Sequence, residues 1–241
     1  MGIYISIIIP AYNEEKKIAD TLTIIVEYLN QKRWNAEILV IEDGSKDNTA
    51  KIIREIAQHH DCIHLIQNNI NKGKGYSVKQ GVLAARGEFI LFTDADNSTP
   101  IEEVEKLLFA LENSKCDIAI GSRSLPKSRI EIPQPFYRKI MGKVFNIFVR
   151  MILKLNIKDT QCGFKCFPQN IARQLFQYQR LERFGFDAEI LFLAQRHRYH
   201  IKEIPILWKN RMESRVHIIK DSIRMLMELC IVKRNHLLGL Y

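Results

Sequence analysis

The sequence predicts an α/β protein built on a mostly parallel sheet with helices on both faces. Three observations carry that expectation. Short apolar runs alternate with helix-like stretches over the first 122 residues. The runs are almost continuously apolar, as strands buried on both faces require. The polar residues with chemical potential come directly after the runs, where an open α/β sheet places its ligand crevice.

The runs are Ile3–Ile9, Glu37–Ile41, Ile63–Ile66, Phe89–Phe92 and Asp117–Ile120. Between them lie amphipathic stretches at Lys16–Leu29, Thr49–His59, Ser77–Ala85 and Ile101–Leu111. Strand-helix alternation of this kind gives a parallel sheet. Thr99, Pro100 and Glu102 read as a capping box with proline at the first helical position. In the second half, Phe136–Leu155, Asp187–Arg198 and Val216–Leu238 are expected as helices and Ile201–Trp208 as a strand. No repeat, low-complexity segment or flexible linker interrupts the chain.

The chain has 241 residues, enough for one sizeable core. Its longest charge-free stretch, Met1–Asn13, is broken by Pro10 well short of the roughly 20 apolar residues a spanning helix needs. It lacks the flanks of a signal peptide and reads as a buried strand, which implies a cytoplasmic location. The five cysteines are scattered without zinc-site spacing and read as buried free thiols. The net charge of +9 is unevenly spread: residues 1–120 hold 13 Lys and Arg against 18 Asp and Glu, residues 121–241 hold 23 against 9. A basic second half implies an anionic partner.

Five loops follow the five runs: Pro10-Ala11-Tyr12-Asn13-Glu14, Glu42-Asp43-Gly44-Ser45, Asn71-Lys72-Gly73-Lys74-Gly75, Asp94-Ala95-Asp96 and Gly121-Ser122-Arg123. Two carboxylates one residue apart at a strand end can share a hard divalent cation and the diphosphate it bridges.

Together, Ile-Ile-Ile-Pro-Ala-Tyr-Asn-Glu (7–14), Ile-Glu-Asp-Gly-Ser-Lys-Asp (41–47), Asn-Lys-Gly-Lys-Gly (71–75), Asp-Ala-Asp (94–96) and Gly-Ser-Arg (121–123) resemble family 2 glycosyltransferases of GT-A fold. Asp-Thr-Gln-Cys-Gly-Phe-Lys-Cys-Phe (159–167) and Phe-Gly-Phe-Asp-Ala-Glu (184–189) are similar to the polyprenyl-phosphate branch, dolichyl-phosphate β-glucosyltransferases above all, with the mannosyltransferases close behind. The resemblance implies a nucleotide-diphospho-sugar transferase domain over 1–215. Residues 1–122 would be its nucleotide-binding half and 123–215 its acceptor half, followed by an amphipathic helix over 216–241.

It also implies roles. Pro10, Ala11, Tyr12, Asn13, Glu14, Ile41 and Asp43 would surround the nucleotide, with Asp43 reading the base. Gly73 and Lys74 would approach the diphosphate, with Gly75 beside them. Asp94 and Asp96 would hold Mg2+ or Mn2+, with Ala95 between them and Ser98 a weaker candidate ligand. Arg123 would face phosphate, and Asp187 would orient groups near the reaction. Arg123, Asp159, Gln161, Gly163, Glu189, Arg211 and Arg215 would serve the acceptor. In the closing motif from Trp208 to Val216, Glu213 stands where the family has glycine. The Gln-x-x-Arg-Trp motif of processive synthases is absent, so one sugar is expected per cycle.

The expected reaction moves a hexose, from UDP-glucose or GDP-mannose, to a polyprenyl or dolichyl phosphate on the cytoplasmic face of a membrane. The helix over 136–155 mixes a broad apolar face with Lys139, Lys143, Arg150 and Lys154, which suits a headgroup plane. A glycan hydroxyl is the rival acceptor, and there Asp187 would have to act as base. A nicotinamide oxidoreductase is disfavoured because no G-x-G-x-x-G follows the first run. No basic-aromatic motif points to nucleic acid. Oligomeric state is left open.

Overall fold

The structure, a computed structural model, describes residues 2–132, 136–209 and 218–241. Its strands are β1 (Ile5–Ala11), β2 (Ala36–Asp43), β3 (Ile63–Asn68), β4 (Phe89–Thr93), β5 (Ile118–Ser122), β6 (Arg129–Ile132), β7 (Phe164–Pro168), β8 (Ile201–Pro205) and β9 (Leu207–Lys209). Its helices are α1 (Ile18–Lys32), α2 (Thr49–Ala57), α3 (Lys74–Ala84), α4 (Val104–Glu112), α5 (Phe136–Leu153), α6 (Gln169–Tyr178), α7 (Phe186–Arg196) and α8 (Ile218–Leu237).

Seven strands form one sheet in the order β3-β2-β1-β4-β7-β5-β8, and β6 pairs with β9 in a small ribbon. The five expected runs are all strands, and β1, β2, β3 and β4 are mutually parallel neighbours. β7 was not anticipated. It runs antiparallel between β4 and β5, with Phe164 opposite Thr93. Reversal has a functional consequence: the loop entering β7, residues 159–163, meets the same rim as the residues leaving β1, β2, β4 and β5. Ala11 stands opposite Glu42 in the register, and β4 ends one residue before Asp94.

Alternation along β1 divides the core. Ile8 packs with Leu39, Ile41 and residues of α3, α6 and α7, whereas Ile7 and Ile9 pack with Val40 and residues of α1 and α4. Helices on both faces follow from this. α5 and α8 are apolar on two sides. Phe145, Val149 and Leu153 of α5, with Met225, Leu229 and Val232 of α8, join the first core, while Val144, Ile147, Phe148, Met151, Ile223, Met227 and Ile231 are exposed.

Three local expectations are corrected. The capping box does not form: Pro100 is extended (ψ 141°), no side chain caps the turn, and a 3-10 turn at Ile101–Glu103 precedes α4. Thr99 is therefore one residue too early to reach the helix. The run Ile201–Trp208 divides at Ile206, because Pro205 has no N–H to continue a ladder. The cysteines are all free, but Cys230 is exposed and Cys62 half-buried rather than enclosed.

Gly81 on α3 lies against the sheet, where a Cβ would stand 2.4 Å from Ile8 Cγ2 and 2.6 Å from Ile41 Cδ1. Alanine gains about 1 kcal/mol of helix propensity, but overpacking a filled core costs about 1–3 kcal/mol. Gly81→Ala is expected to lower the urea midpoint, and a raised midpoint would show that the contact relaxes freely.

Candidate functional site

The 71–73 loop and the start of α3 are organised by Asp43, the last residue of β2. Its Oδ1 accepts from Asn68 Nδ2 and Lys72 N, both at 3.0 Å. Its Oδ2 accepts from Asn71 Nδ2 at 2.9 Å and Gly73 N at 2.7 Å. A carboxylate has about four acceptor positions, so Asp43 is saturated. In the structure it ties the 71–73 loop to the sheet and lets α3 begin at Lys74. Glu42 beside it accepts from Ser45 N through Oε1, while its Oε2 is buried without a hydrogen-bond partner.

Gly73 and Gly75 are closely packed. A Cβ at 73, where φ is +115°, would stand 2.5 Å from Glu182 O, and one at 75 would stand 2.7 Å from Leu181 O. Glycine is needed here for packing against residues 181–183, and the Gly73 amide is already spent on Asp43. Lys74 does face the acids, donating from Nζ to Asp94 Oδ1 at 2.6 Å. Burial alone would lower its pKa, but Asp94, Asp187 and Asp96 outweigh that and hold it above the ordinary lysine range.

Asp94 and Asp96 follow β4 directly. The Asp94 side chain is 40% exposed, and Asp96 Oδ1 accepts the Ser98 amide at 2.9 Å. Asn97 takes a left-handed φ of 50°, which turns the chain sharply after the second acid. Hard divalent ions take carboxylate and phosphate oxygens and keep several waters. Two accessible carboxylates at the rim fit such an ion together with a diphosphate. Among the described residues, no group of three or more His, Cys, Asp or Glu side chains is placed to hold a metal. Gly163 lies against Asp94, where a Cβ would stand 2.3 Å from its Oδ2.

After β5, Arg123 and Asp159 form a two-pronged pair, Nε to Oδ2 and Nη2 to Oδ1, both at 2.8 Å. The guanidinium lies over the Trp208 ring, 5.5 Å from its centroid. Burial opposes both charges. The pairing prevails, raising Arg123 above its ordinary value and lowering Asp159 below its own. Cys162 nearby is pushed up to about 12, by burial first and then Asp159, which leaves it an inert thiol. Gln161 presents a buried Nε2 with no hydrogen-bond partner, an orphan donor of the kind a ligand satisfies.

Lys165, on β7, received no role from the sequence although it lies inside the 159–167 motif. It is fully buried, pairs with Asp187, donates to Cys162 O at 2.6 Å and lies 5.1 Å from the Phe92 ring centroid. The signal was there: a lysine flanked by Phe164, Cys166 and Phe167 cannot be a solvated surface residue.

Three further residues named from the sequence are buried. Ile41 lies in the core beside Gly81. Ala95 is buried against the α1 side, and its carbonyl accepts Thr21 Oγ1 at 2.8 Å. Glu189, two residues beyond Asp187 and so on the opposite side of α7, is fully buried. It accepts from the amides of Arg180 and Leu181 and from Tyr241 Oη at 2.6 Å. Burial raises its pKa despite those donors. Pro10 and Ala11, expected in the loop after the first run, are the last two residues of β1. Asn13 takes a left-handed φ of 54° and bonds Ser45, and the Glu14 amide bonds Thr49 Oγ1, so 11–14 lies beside 45–49. Arg211 and Arg215, with Glu213, lie outside the described residues.

An open, mostly parallel sheet with two acids after its fourth strand and cations on either side defines a glycosyltransferase of the GT-A class. The family model for glycosyl transferase family 2 matches residues 6–176. The dolichyl-phosphate β-glucosyltransferase of Dictyostelium discoideum is 36% identical over 100% of this chain and 77% of its own length. That of Saccharomyces cerevisiae is 36% identical over 99% and 77%, and that of Homo sapiens 32% over 98% and 76%. A solved glucosyl-3-phosphoglycerate synthase from Mycobacterium tuberculosis, in complex with Mn2+, UDP and glucosyl-3-phosphoglycerate, shares the fold. Its TM-score is 0.69 at 16% identity, over 95% of this chain and 79% of that one. The mannosyl-3-phosphoglycerate synthase of Rubrobacter xylanophilus matches at TM-score 0.69 and 15% identity, over 99% and 76%. The chain belongs to glycosyltransferase family 2.

Asp159 has a lowered folded pKa, so the stability it contributes is present above the ordinary aspartate range and lost as pH falls through the folded value. Removing one partner of a buried pair costs about 3–5 kcal/mol. Asp159→Asn is expected to lose about that much at pH 7 and to show a flatter decline on acidification. A variant whose acid profile parallels the parent would sink the assignment.

Proposed function

We propose that this chain transfers a single hexose, from UDP-glucose in the favoured reading, to a polyprenyl or dolichyl phosphate at a membrane surface, with inversion at the anomeric carbon. The donor and acceptor classes are taken from the names of its relatives. The observation that carries the reading is the arrangement of Asp94 and Asp96 between two permanently charged cations, Lys74 and Arg123.

Each residue has a separate task. Lys74 neutralises negative charge on the donor diphosphate, and its position beside Asp94 places that charge next to the acid pair. Arg123 uses Nε and Nη2 on Asp159, which leaves Nη1 for the acceptor phosphate. Gln161 Nε2 can donate to the same ligand. When bound, a Mg2+ or Mn2+ ion held by Asp94 and Asp96 supplies charge stabilisation for the leaving nucleoside diphosphate. Mn2+ with UDP in the Mycobacterium tuberculosis synthase supports that class of ion.

No base is required. A phosphate monoester has a second pKa near ~6 and is largely ionised at neutral pH. Asp187 is buried against Lys165, away from a position that could meet a hydroxyl, which favours a phosphate acceptor over a glycan hydroxyl.

Membrane contact rests on α5 and α8. No helix among the described residues is long and apolar enough to cross a membrane. Both helices instead expose apolar side chains beside cations: Val144, Ile147, Phe148 and Met151 with Arg150 on α5, and Ile223, Met227 and Ile231 with Arg224 on α8. Each cation near an anionic leaflet contributes about 1 kcal/mol. On this reading residues 1–122 handle the donor, 123–215 the acceptor, and α8 lies in the headgroup plane of the cytoplasmic face.

Incubation with a panel of radiolabelled nucleotide sugars and a short polyprenyl phosphate tests the proposal, and metal-dependent formation of a β-linked glucosyl lipid from UDP-glucose is the expected result. Transfer to glycan hydroxyls alone would overturn it. Asp96→Ala should reduce turnover by at least about 1,000-fold, or about 4 kcal/mol, with an unchanged melting temperature. Gly163→Ala, which drives a methyl group into Asp94, should cost turnover in the same assay while Gly2→Ala, in open space, should not.

A further inference from the structure

Residues 179–185 touch two features of different purpose. On one side they support the donor loop. Gln179 Nε2 donates to Gly75 O at 2.9 Å, Tyr76 N donates to Glu182 O at 2.9 Å, and Gly73 and Gly75 leave no room for a Cβ against Leu181, Glu182 and Arg183. On the other side they are held by α8 and the residues after it. Gly185 N donates to Glu228 Oε2 at 2.8 Å, and a Cβ at 185 would stand 2.5 Å from that oxygen. The Arg180 guanidinium donates to Leu240 O at 3.2 and 3.3 Å, and Tyr241 Oη donates to Glu189. Glu228 is buried, yet one residue before it Met227 is 57% exposed, in a stripe with Ile223 at 54% and Ile231 at 42%. One helix therefore faces solvent with apolar side chains and, through its other side, holds the support of Lys74.

We propose that α8 couples lipid contact to the donor site, with Glu228 as the positioning residue. An anionic bilayer is the occupant of the stripe, given the exposed Arg224 and Arg234 on the same helix and the basic excess of residues 121–241. This rests on the membrane-acting reading above. Seating Ile223, Met227 and Ile231 in the interface fixes α8. Glu228 then holds the 182–185 turn against Gly73–Tyr76, and Lys74 stays on the diphosphate. Coupling of this type is reciprocal, so donor-loaded protein must also bind the surface more tightly.

Amide hydrogen exchange of the full chain, with and without phosphatidylcholine–phosphatidylserine vesicles and without nucleotide, reads the coupling directly. UDP titrations with Mn2+ follow under both conditions. In the parent chain, vesicles should raise protection at 73–76 and 181–185 and tighten UDP binding by about five-fold or more. Glu228→Ala should bind vesicles as before and lose both gains. Glu228→Gln, which still offers an oxygen to Gly185 N, should keep most of them. An Ile223→Ser, Met227→Ser double variant should lose vesicle binding and leave lipid-free UDP affinity unchanged. If Glu228→Ala does not fold, Tyr241→Phe, which removes the bond to Glu189, is read in the same way. Vesicle binding without added protection at 73–76, or a Glu228→Ala chain that keeps the gain, overturns the coupling alone. Absence of vesicle binding by the parent overturns the membrane reading and the coupling with it. Absence of UDP binding overturns the nucleotide assignment while the exchange data still decide the coupling.

Discussion

The saturated carboxylate of Asp43 is the constraint on which the donor side depends. Four donors from Asn68, Asn71, Lys72 and Gly73 converge on it, drawing the end of β3 and the start of α3 onto the end of β2. Hydrogen bonds to a charged group contribute about 1.5–3 kcal/mol each at most, and their value here is positional. They bring Lys74 over the sheet rim within reach of Asp94. Without that anchor a glycine-bearing loop has no reason to choose one conformation, since Gly73 can take many and its φ of +115° suits few other residues.

Around the cleft, charge is arranged as matched pairs: Lys74 with Asp94, Arg123 with Asp159, Lys165 with Asp187. Buried pairs of this kind are weak sources of net stability, because desolvation offsets most of the attraction. Their common property is that each cation is held in place by a carboxylate. Cations fixed before a ligand arrives meet the condition under which charges act most strongly on a transition state. Exposure grades the pairs. Lys165 and Asp187 are enclosed, Arg123 is partly open, and the Asp94 carboxylate is the most accessible of the six.

Much of the frame was legible in the chain alone. Continuous apolar runs such as Ile7-Ile8-Ile9 can only be strands buried on both faces, and the acids after Phe92 could be assigned to a rim before any coordinates existed. What escaped was non-local. β7 is a short run, Phe164–Pro168, with a lysine in its middle, and no local pattern shows that it inserts antiparallel between β4 and β5. The four donors that converge on Asp43, from Asn68 to Gly73, are brought to it only by the β2–β3 register. Helical geometry sends Glu189 to the side of α7 opposite Asp187, which two-residue spacing alone does not display. The 181–183 backbone packed against Gly73 and Gly75 lies over 100 residues away in sequence.

The pairing of Lys165 with Asp187 also bears on what kind of acceptor this fold can serve. A hydroxyl nucleophile needs a base whose carboxylate can reach it, and Asp187 is buried against Lys165. A phosphate nucleophile brings its negative charge with it and asks only for cations and an approach path. Carboxylates near such an acceptor are then released from proton transfer and can act as counter-ions that hold lysine and arginine in register. In the structure Asp159 and Asp187 are paired in this way, with Arg123 and Lys165. Chemistry with an ionised acceptor therefore requires a site rich in fixed charge and poor in proton relays, and the three pairs at the rim of this sheet meet that requirement.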